Sequence, residues 1–168
     1  MQSILLKPIQ TNILYESLDK LVSGKMTEVI TPNYEPVHPI HTNEKIKIMI
    51  VEDNPVNMML TKAIVQKSLP GTIIIEAENG ALAVENFIQT DPQLIFMDVQ
   101  MPEMNGYDAT KEIRKLANGK SVPIIALTAG TLSGEEERCL ECGMNDYISK
   151  PVVLKTISEK MKHWLQFV

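Results

Sequence analysis

The chain has 168 residues, 44% hydrophobic and 22% charged, which are the proportions of an ordinary globular protein. Sixteen basic against 21 acidic residues give a formal charge of −5, which argues against nucleic-acid binding through a basic face. No apolar run approaches the roughly 18 residues of a membrane span, the N-terminus does not read as a signal peptide, and two cysteines make no disulfide scaffold and fit a reducing compartment.

In chain order, residues 1–22 form a short first piece. Residues 23–45 read as a linker, because Pro32, Pro36 and Pro39 block a regular helix among Ser23, Gly24, Thr27, Thr31 and Thr42. Residues 46–168 then have the size of one compact domain. Short apolar, β-branched-rich runs at Ile46–Val51, Thr72–Ile75, Leu94–Met97, Val122–Leu127 and Asp146–Ile148 predict strands covered on both faces.

Helical segments are predicted between and after these runs. The first starts at Asn54-Pro55, an N-cap followed by proline, with Val56, Leu60, Ala63 and Ile64 as its apolar face. The second spans about Gly80 to Gln89, with Leu82, Ala83 and Phe87 inward. The third spans about Gly106 to Ala117, with Tyr107, Ile113 and Leu116 inward, and the fourth about Ser133 to Glu141. The last spans about Val152 to Phe167, with Val153, Ile157, Met161, Trp164 and Leu165 inward. Fivefold strand–helix alternation predicts an α/β domain with a parallel sheet and right-handed crossovers.

Four of the strands end in polar residues: Glu52 and Asp53, Asp98, Thr128, and Lys150. Ligands of open parallel sheets bind beyond the carboxyl ends of the strands, so these residues should converge. Three carboxylates in one site repel unless a cation intervenes. A hard divalent cation with oxygen ligands, Mg²⁺ above all, meets that need. Carboxylates, Mg²⁺, a hydroxyl and an ammonium together make a site for phosphoryl chemistry, with Asp98 as the candidate nucleophile. Singly, each residue reads more readily as a turn, a helix cap or a solvated end; the agreement of four strand ends favours function.

Cys139 and Cys142 form a Cys-x-x-Cys pair late in a predicted helix. The remaining paired candidates for zinc, His38 and His41, lie in the linker. The expectation is therefore two partly buried thiols without metal or redox chemistry.

The run Ile48-Met-Ile-Val-Glu-Asp-Asn-Pro-Val-Asn57 resembles the first strand and acidic turn of receiver domains of two-component signalling. Met97-Asp-Val-Gln-Met-Pro-Glu-Met-Asn-Gly106 is similar to their phosphoacceptor loop. Pro123-Ile-Ile-Ala-Leu-Thr-Ala129 and Asp146-Tyr-Ile-Ser-Lys-Pro151 are similar to their fourth and fifth strand ends. The resemblance covers 46–168 and is nearest to receivers of hybrid histidine kinases.

The resemblance implies a flavodoxin-like doubly wound (βα)5 three-layer sandwich, sheet order 2-1-3-4-5, with a cis Lys150-Pro151 bond. It implies that Asp98 accepts phosphate from a phosphohistidine. Asp53 and Asp98 would bind Mg²⁺ directly, with the Gln100 backbone carbonyl as a third ligand and Glu52 acting through water. Thr128 and Lys150 would contact the phosphoryl group, and Tyr147 takes the aromatic switch position, so that phosphorylation reshapes the face made by the fourth helix, fifth strand and fifth helix. Gln100 and Gly130 occupy positions that tune phosphate lifetime. The implied partners are the phosphohistidine domain of a histidine kinase and a histidine phosphotransfer protein. Neither nucleic acid nor membrane contact is expected, and a dimer is left open. A cytoplasmic location fits, with a membrane anchor left open for the parent protein.

Residues 1–22 repeat the end of the domain. Lys7-Pro8 matches Lys150-Pro151, Ile4 and Leu5 fall on Tyr147 and Ile148, and Leu14, Leu18, Leu21 and Val22 fall on Ile157, Met161, Trp164 and Leu165. They resemble the last strand and helix of a preceding receiver, with an unrelated amphipathic helix or an interaction helix proper to this protein as the alternatives. Two functional alternatives stand beside the phosphoacceptor reading. An Asp-nucleophile phosphohydrolase normally has a second Asp where Gln100 stands, and a non-phosphorylated scaffold receiver fits poorly with a complete reactive set. Whether the domain counts as an enzyme is open: it would assist its own phosphoryl transfer.

Overall fold

The computed structural model describes residues 45–130 and 134–166. The expectations for 1–22 and, apart from Lys45, for 23–45 lie outside them, as does the predicted helix start at Ser133. Five strands, β1 (Lys47–Val51), β2 (Ile73–Ala77), β3 (Leu94–Asp98), β4 (Ile124–Thr128) and β5 (Asp146–Ser149), form one sheet in the order β2-β1-β3-β4-β5, parallel throughout. The helices are α1 (Pro55–Ser68), α2 (Gly80–Thr90), α3 (Gly106–Lys115), α4 (Glu135–Glu141) and α5 (Leu154–Leu165), with a 3-10 turn at Asn118–Lys120. Both the sheet order and the cis Lys150–Pro151 bond are as expected.

The two-residue period of the strands divides the core into two layers. Met49, Val51, Ile95, Met97, Ile124 and Ala126 face Ala83 and Phe87 of α2, Tyr107 and Ile113 of α3, and Cys139 of α4. Ile48, Ile50, Leu94, Phe96, Ile125, Leu127 and Ile148 face Met58, Ile64 and Val65 of α1 and Ile157, Met161 and Leu165 of α5. Strands buried on both faces explain why their sequences are nearly continuous apolar runs.

Asn54 caps α1: its side-chain oxygen accepts from the Val56 amide at 2.9 Å and the Asn57 amide at 3.3 Å. The buried face of α1 differs from expectation. Met58, Thr61, Ile64 and Val65 point inward, while Val56, Leu60 and Ala63 are exposed. Apolar residues lie on more than one side of this helix and a threonine sits in the inward row, so hydrophobicity alone selects the wrong stripe. Leu82 of α2 is likewise at the surface, and Val153 is the exposed N-cap of α5 rather than part of its inner face. Cys139 is buried and Cys142 partly so; both thiols are free, and the Cys142 thiol donates to the Cys139 carbonyl.

Candidate functional site

The sheet register brings the polar strand ends level. Val51 pairs with Met97, so Glu52 and Asp98 emerge side by side. Asp98 pairs with Leu127, which puts Thr128 one residue further along β4. Thr128 pairs with Ser149, and the Lys150 amide donates to the Thr128 carbonyl at 2.7 Å. Gly106 closes the loop after β3: its amide donates to the Val99 carbonyl at 3.1 Å, and a Cβ there would stand 2.2 Å from the Asp98 carbonyl oxygen. Any larger residue would push this loop off Asp98.

Glu52 and Asp98 are buried, at 2% and 3% exposure, while Asp53 is exposed. Each of the three offers a carboxylate oxygen, all within 4.8 Å of one another. Lys150 Nζ donates to Glu52 Oε2 and Asp98 Oδ2, both at 2.7 Å. The Gln100 amide donates to Asp98 Oδ1 at 3.2 Å, and Asn57 of α1 donates to Glu52 Oε1 at 2.9 Å. Burial and the Glu52 charge push the Asp98 carboxyl above its ordinary range, against the pull of the Lys150 hydrogen bond. For Lys150, burial alone would lower the pKa, but the hydrogen bonds to Asp98 and Glu52 outweigh it and hold the ammonium above its usual value. One ammonium thus bridges two of the three clustered carboxylates. A hard divalent cation with oxygen ligands fits that donor set and its residual negative charge.

Thr128 is buried, and its hydroxyl donates to Glu135 Oε2 at 2.6 Å while accepting from the Gly130 amide at 3.2 Å. The Tyr147 hydroxyl lies at the surface and donates to Glu136 Oε2 at 2.9 Å. The structure therefore gathers Glu52, Asp53, Asp98 and Lys150, sets Thr128 at the next strand end, and holds Tyr147 outside. Glu135, Glu136 and Asn57 escaped sequence reasoning. The acidic run at the start of α4 was the visible signal for the two glutamates, but its partners come from two other strands.

The response regulator receiver domain model matches residues 48–162. The chain belongs to this family. The receiver is 32% identical to the sensor histidine kinase GacS of Pseudomonas protegens over 145 residues, covering 83% of this chain but only 16% of the kinase's length. Among solved structures it resembles the receiver domain of a sensor histidine kinase from Pseudomonas aeruginosa, which has a magnesium ion coordinated in its active-site cleft. Identity there is 38% and the TM-score 0.68, covering 74% of this chain and all of that one. It also resembles the Ssk1 receiver domain of Saccharomyces cerevisiae, solved with the histidine phosphotransfer protein Ypd1, at 34% identity and TM-score 0.66, covering 71% of this chain and 88% of that one. No helix among the described residues is long and apolar enough to cross a membrane.

Proposed function

We propose that this receiver takes a phosphoryl group onto Asp98 from a phosphohistidine, within the His–Asp phosphorelay of a hybrid histidine kinase. The observation that carries the reading is buried Asp98, hydrogen-bonded to Lys150 at 2.7 Å inside a cluster of three carboxylates. A carboxylate oxygen of Asp98 attacks phosphorus, the P–N bond breaks, and its electron pair stays on the imidazole. Lys150 moves from a carboxylate partner to the phosphoryl oxygens and balances their charge, and the Thr128 hydroxyl donates to one of them. Asp53, Asp98 and the Gln100 carbonyl would hold Mg²⁺, with Glu52 acting through water, and the ion would supply further positive charge to balance those oxygens.

Phosphorylation adds about two negative charges at Asp98. Thr128 then moves toward them, Tyr147 leaves Glu136 and turns inward, and the α4–β5–α5 face changes. The donor is the phosphohistidine domain of a kinase and the onward acceptor a histidine phosphotransfer protein. Exposed Val56 and Met59 of α1, flanking the Asn57 that binds Glu52, support docking of a protein beside the site. The phosphohydrolase and scaffold alternatives are not favoured by the relatives. In the kinase reading the receiver occupies 46–168 and works in the cytoplasm, with residues 1–22 the remnant of an upstream receiver.

The test is intact mass after incubation with Mg²⁺ and acetyl phosphate. Wild type gains one phosphoryl group; Asp98→Asn, or wild type without Mg²⁺, gains none. Equal phosphorylation of Asp98→Asn would overturn the assignment.

A further inference from the structure

A hydroxyl has one proton to donate. Thr128 gives its proton to Glu135 Oε2 at 2.6 Å, and its oxygen also takes the Gly130 amide. The proton that a phosphoryl oxygen would need is therefore already committed to a carboxylate. Gly130 leaves the room for this arrangement: a Cβ there would stand 2.2 Å from Glu135 Oε2. Glu135 is also the first residue of α4, directly after Gly134 at φ +109°. The next residue, Glu136, accepts from the Tyr147 hydroxyl at 2.9 Å. The first turn of α4 is thus fastened to both residues expected to move.

We infer that Glu135 is a positioning residue, a latch that holds the Thr128 hydroxyl away from Asp98 and that the arriving phosphoryl group must displace. The inference rests on the phosphoacceptor reading of Asp98. Two anions compete for one hydroxyl. While Glu135 keeps it, the unphosphorylated state is favoured by a charge-assisted hydrogen bond. Once the phosphoryl group takes it, the carboxylate loses its partner and faces a new negative charge. Its departure frees the first turn of α4, which links the chemistry at Asp98 to the surface of that helix. The latch sets how much of the phosphorylated conformation forms at a given phosphodonor strength.

The experiment compares wild type, Glu135→Ala, Glu135→Gln and Glu137→Ala, the last removing an equal charge from an exposed position of the same helix. Beryllofluoride with Mg²⁺ is titrated as the phosphoryl mimic, the initial phosphorylation rate with acetyl phosphate is read by intact mass, and the urea midpoint reports folding. Glu135→Ala should saturate at about tenfold lower beryllofluoride, the size expected for loss of one charge-assisted hydrogen bond, and should phosphorylate faster. Glu135→Gln should fall between it and wild type, and Glu137→Ala should stay within about twofold of wild type. If Glu135→Ala folds poorly, Gly130→Ala displaces the carboxylate from the other side and should shift the titration in the same direction. A Glu135→Ala titration matching that of Glu137→Ala, or one shifted to higher beryllofluoride, overturns the latch while leaving the receiver reading intact. A wild type that takes up neither phosphoryl nor beryllofluoride overturns the reading beneath it.

Discussion

Lys150 and Asp98 are held 2.7 Å apart across the gap between β5 and β3, and the same ammonium touches Glu52 at the same distance. A single cation therefore bridges two buried carboxylates that would otherwise repel. Lys150→Ala removes that bridge and leaves both charges without compensation. Without Mg²⁺ it should cost about 3 kcal/mol, the scale for breaking a buried pair, and added Mg²⁺ should recover part of the loss. Phosphorylation by acetyl phosphate should fall at least ~100-fold, as when a preorganised charge contact is lost. Urea unfolding with and without Mg²⁺, together with intact mass, checks both; an unchanged phosphorylation rate would remove Lys150 from the reaction.

Asp98→Asn should act oppositely on stability. It removes one negative charge from a cluster in which burial and Glu52 already oppose ionisation. The metal-free variant should therefore be more stable than wild type by about 1 kcal/mol, the trade common at functional sites. Mg²⁺ should stabilise wild type strongly and the variant weakly, because ligand binding to the folded state scales with its affinity there. Thermal midpoints across a Mg²⁺ titration decide this. Parallel curves for the two proteins would mean that Asp98 holds no metal.

The four polar strand ends were legible because a parallel sheet turns short apolar runs into strands and leaves their last polar residues at one rim. The strand limits shifted where the edge is wet or the backbone breaks. β2 continues past Ile75 because Glu76, on an edge strand, pairs with Lys62 at the surface. β4 starts at Ile124, after Pro123. The packing face of α1 is not legible from hydrophobicity because Thr61 lies in the inward row. The Thr128–Glu135 bond was illegible because it depends on how the chain returns after β4. Arg114 gave no signal either, since three of its partners are main-chain carbonyls and no side-chain pattern encodes them.

Asp146 predicts an acid-sensitive joint between β5 and α5. Its carboxylate accepts from Lys160 Nζ at 2.6 Å and from Trp164 Nε1 at 3.0 Å, and the Tyr147 amide adds a bond at 2.9 Å. Burial alone would raise its pKa, but these hydrogen bonds outweigh it and hold the carboxyl below its ordinary value. A folded-state pKa below the unfolded value of about 3.9 means a contribution fully present above that value and lost as pH falls through the folded value. Asp146→Asn should thus lower stability by about 2 kcal/mol at pH 7, the worth of hydrogen bonds to a charged group. The gap to wild type should close as pH drops below about 4. Urea midpoints across that range test it; a gap of constant size would show that packing rather than charge fastens the joint.

Among the described residues, Arg114 is the largest single tie outside the site. From α3 its Nε donates to the Gly143 carbonyl at 2.7 Å and its Nη2 to Asn145 Oδ1 at 2.7 Å. Its Nη1 donates to the carbonyls of Val122, at 2.8 Å, and Gly119. The same Asn145 oxygen accepts from the Ile124 amide at 2.9 Å, so one guanidinium joins α3, the 3-10 turn, the entry to β4 and the entry to β5. Arg114→Met keeps the stem and removes every donor, leaving several half-buried acceptors unsatisfied. It should destabilise by about 3 kcal/mol, and Arg114→Lys by nearly as much, because an ammonium cannot reproduce the planar fork. The Asp98 site lies at the opposite ends of these strands, so the fraction that remains folded should still be phosphorylated at Asp98. Urea midpoints with phosphorylation yields per folded protein check this, and a lysine variant as stable as wild type would show that charge alone suffices there.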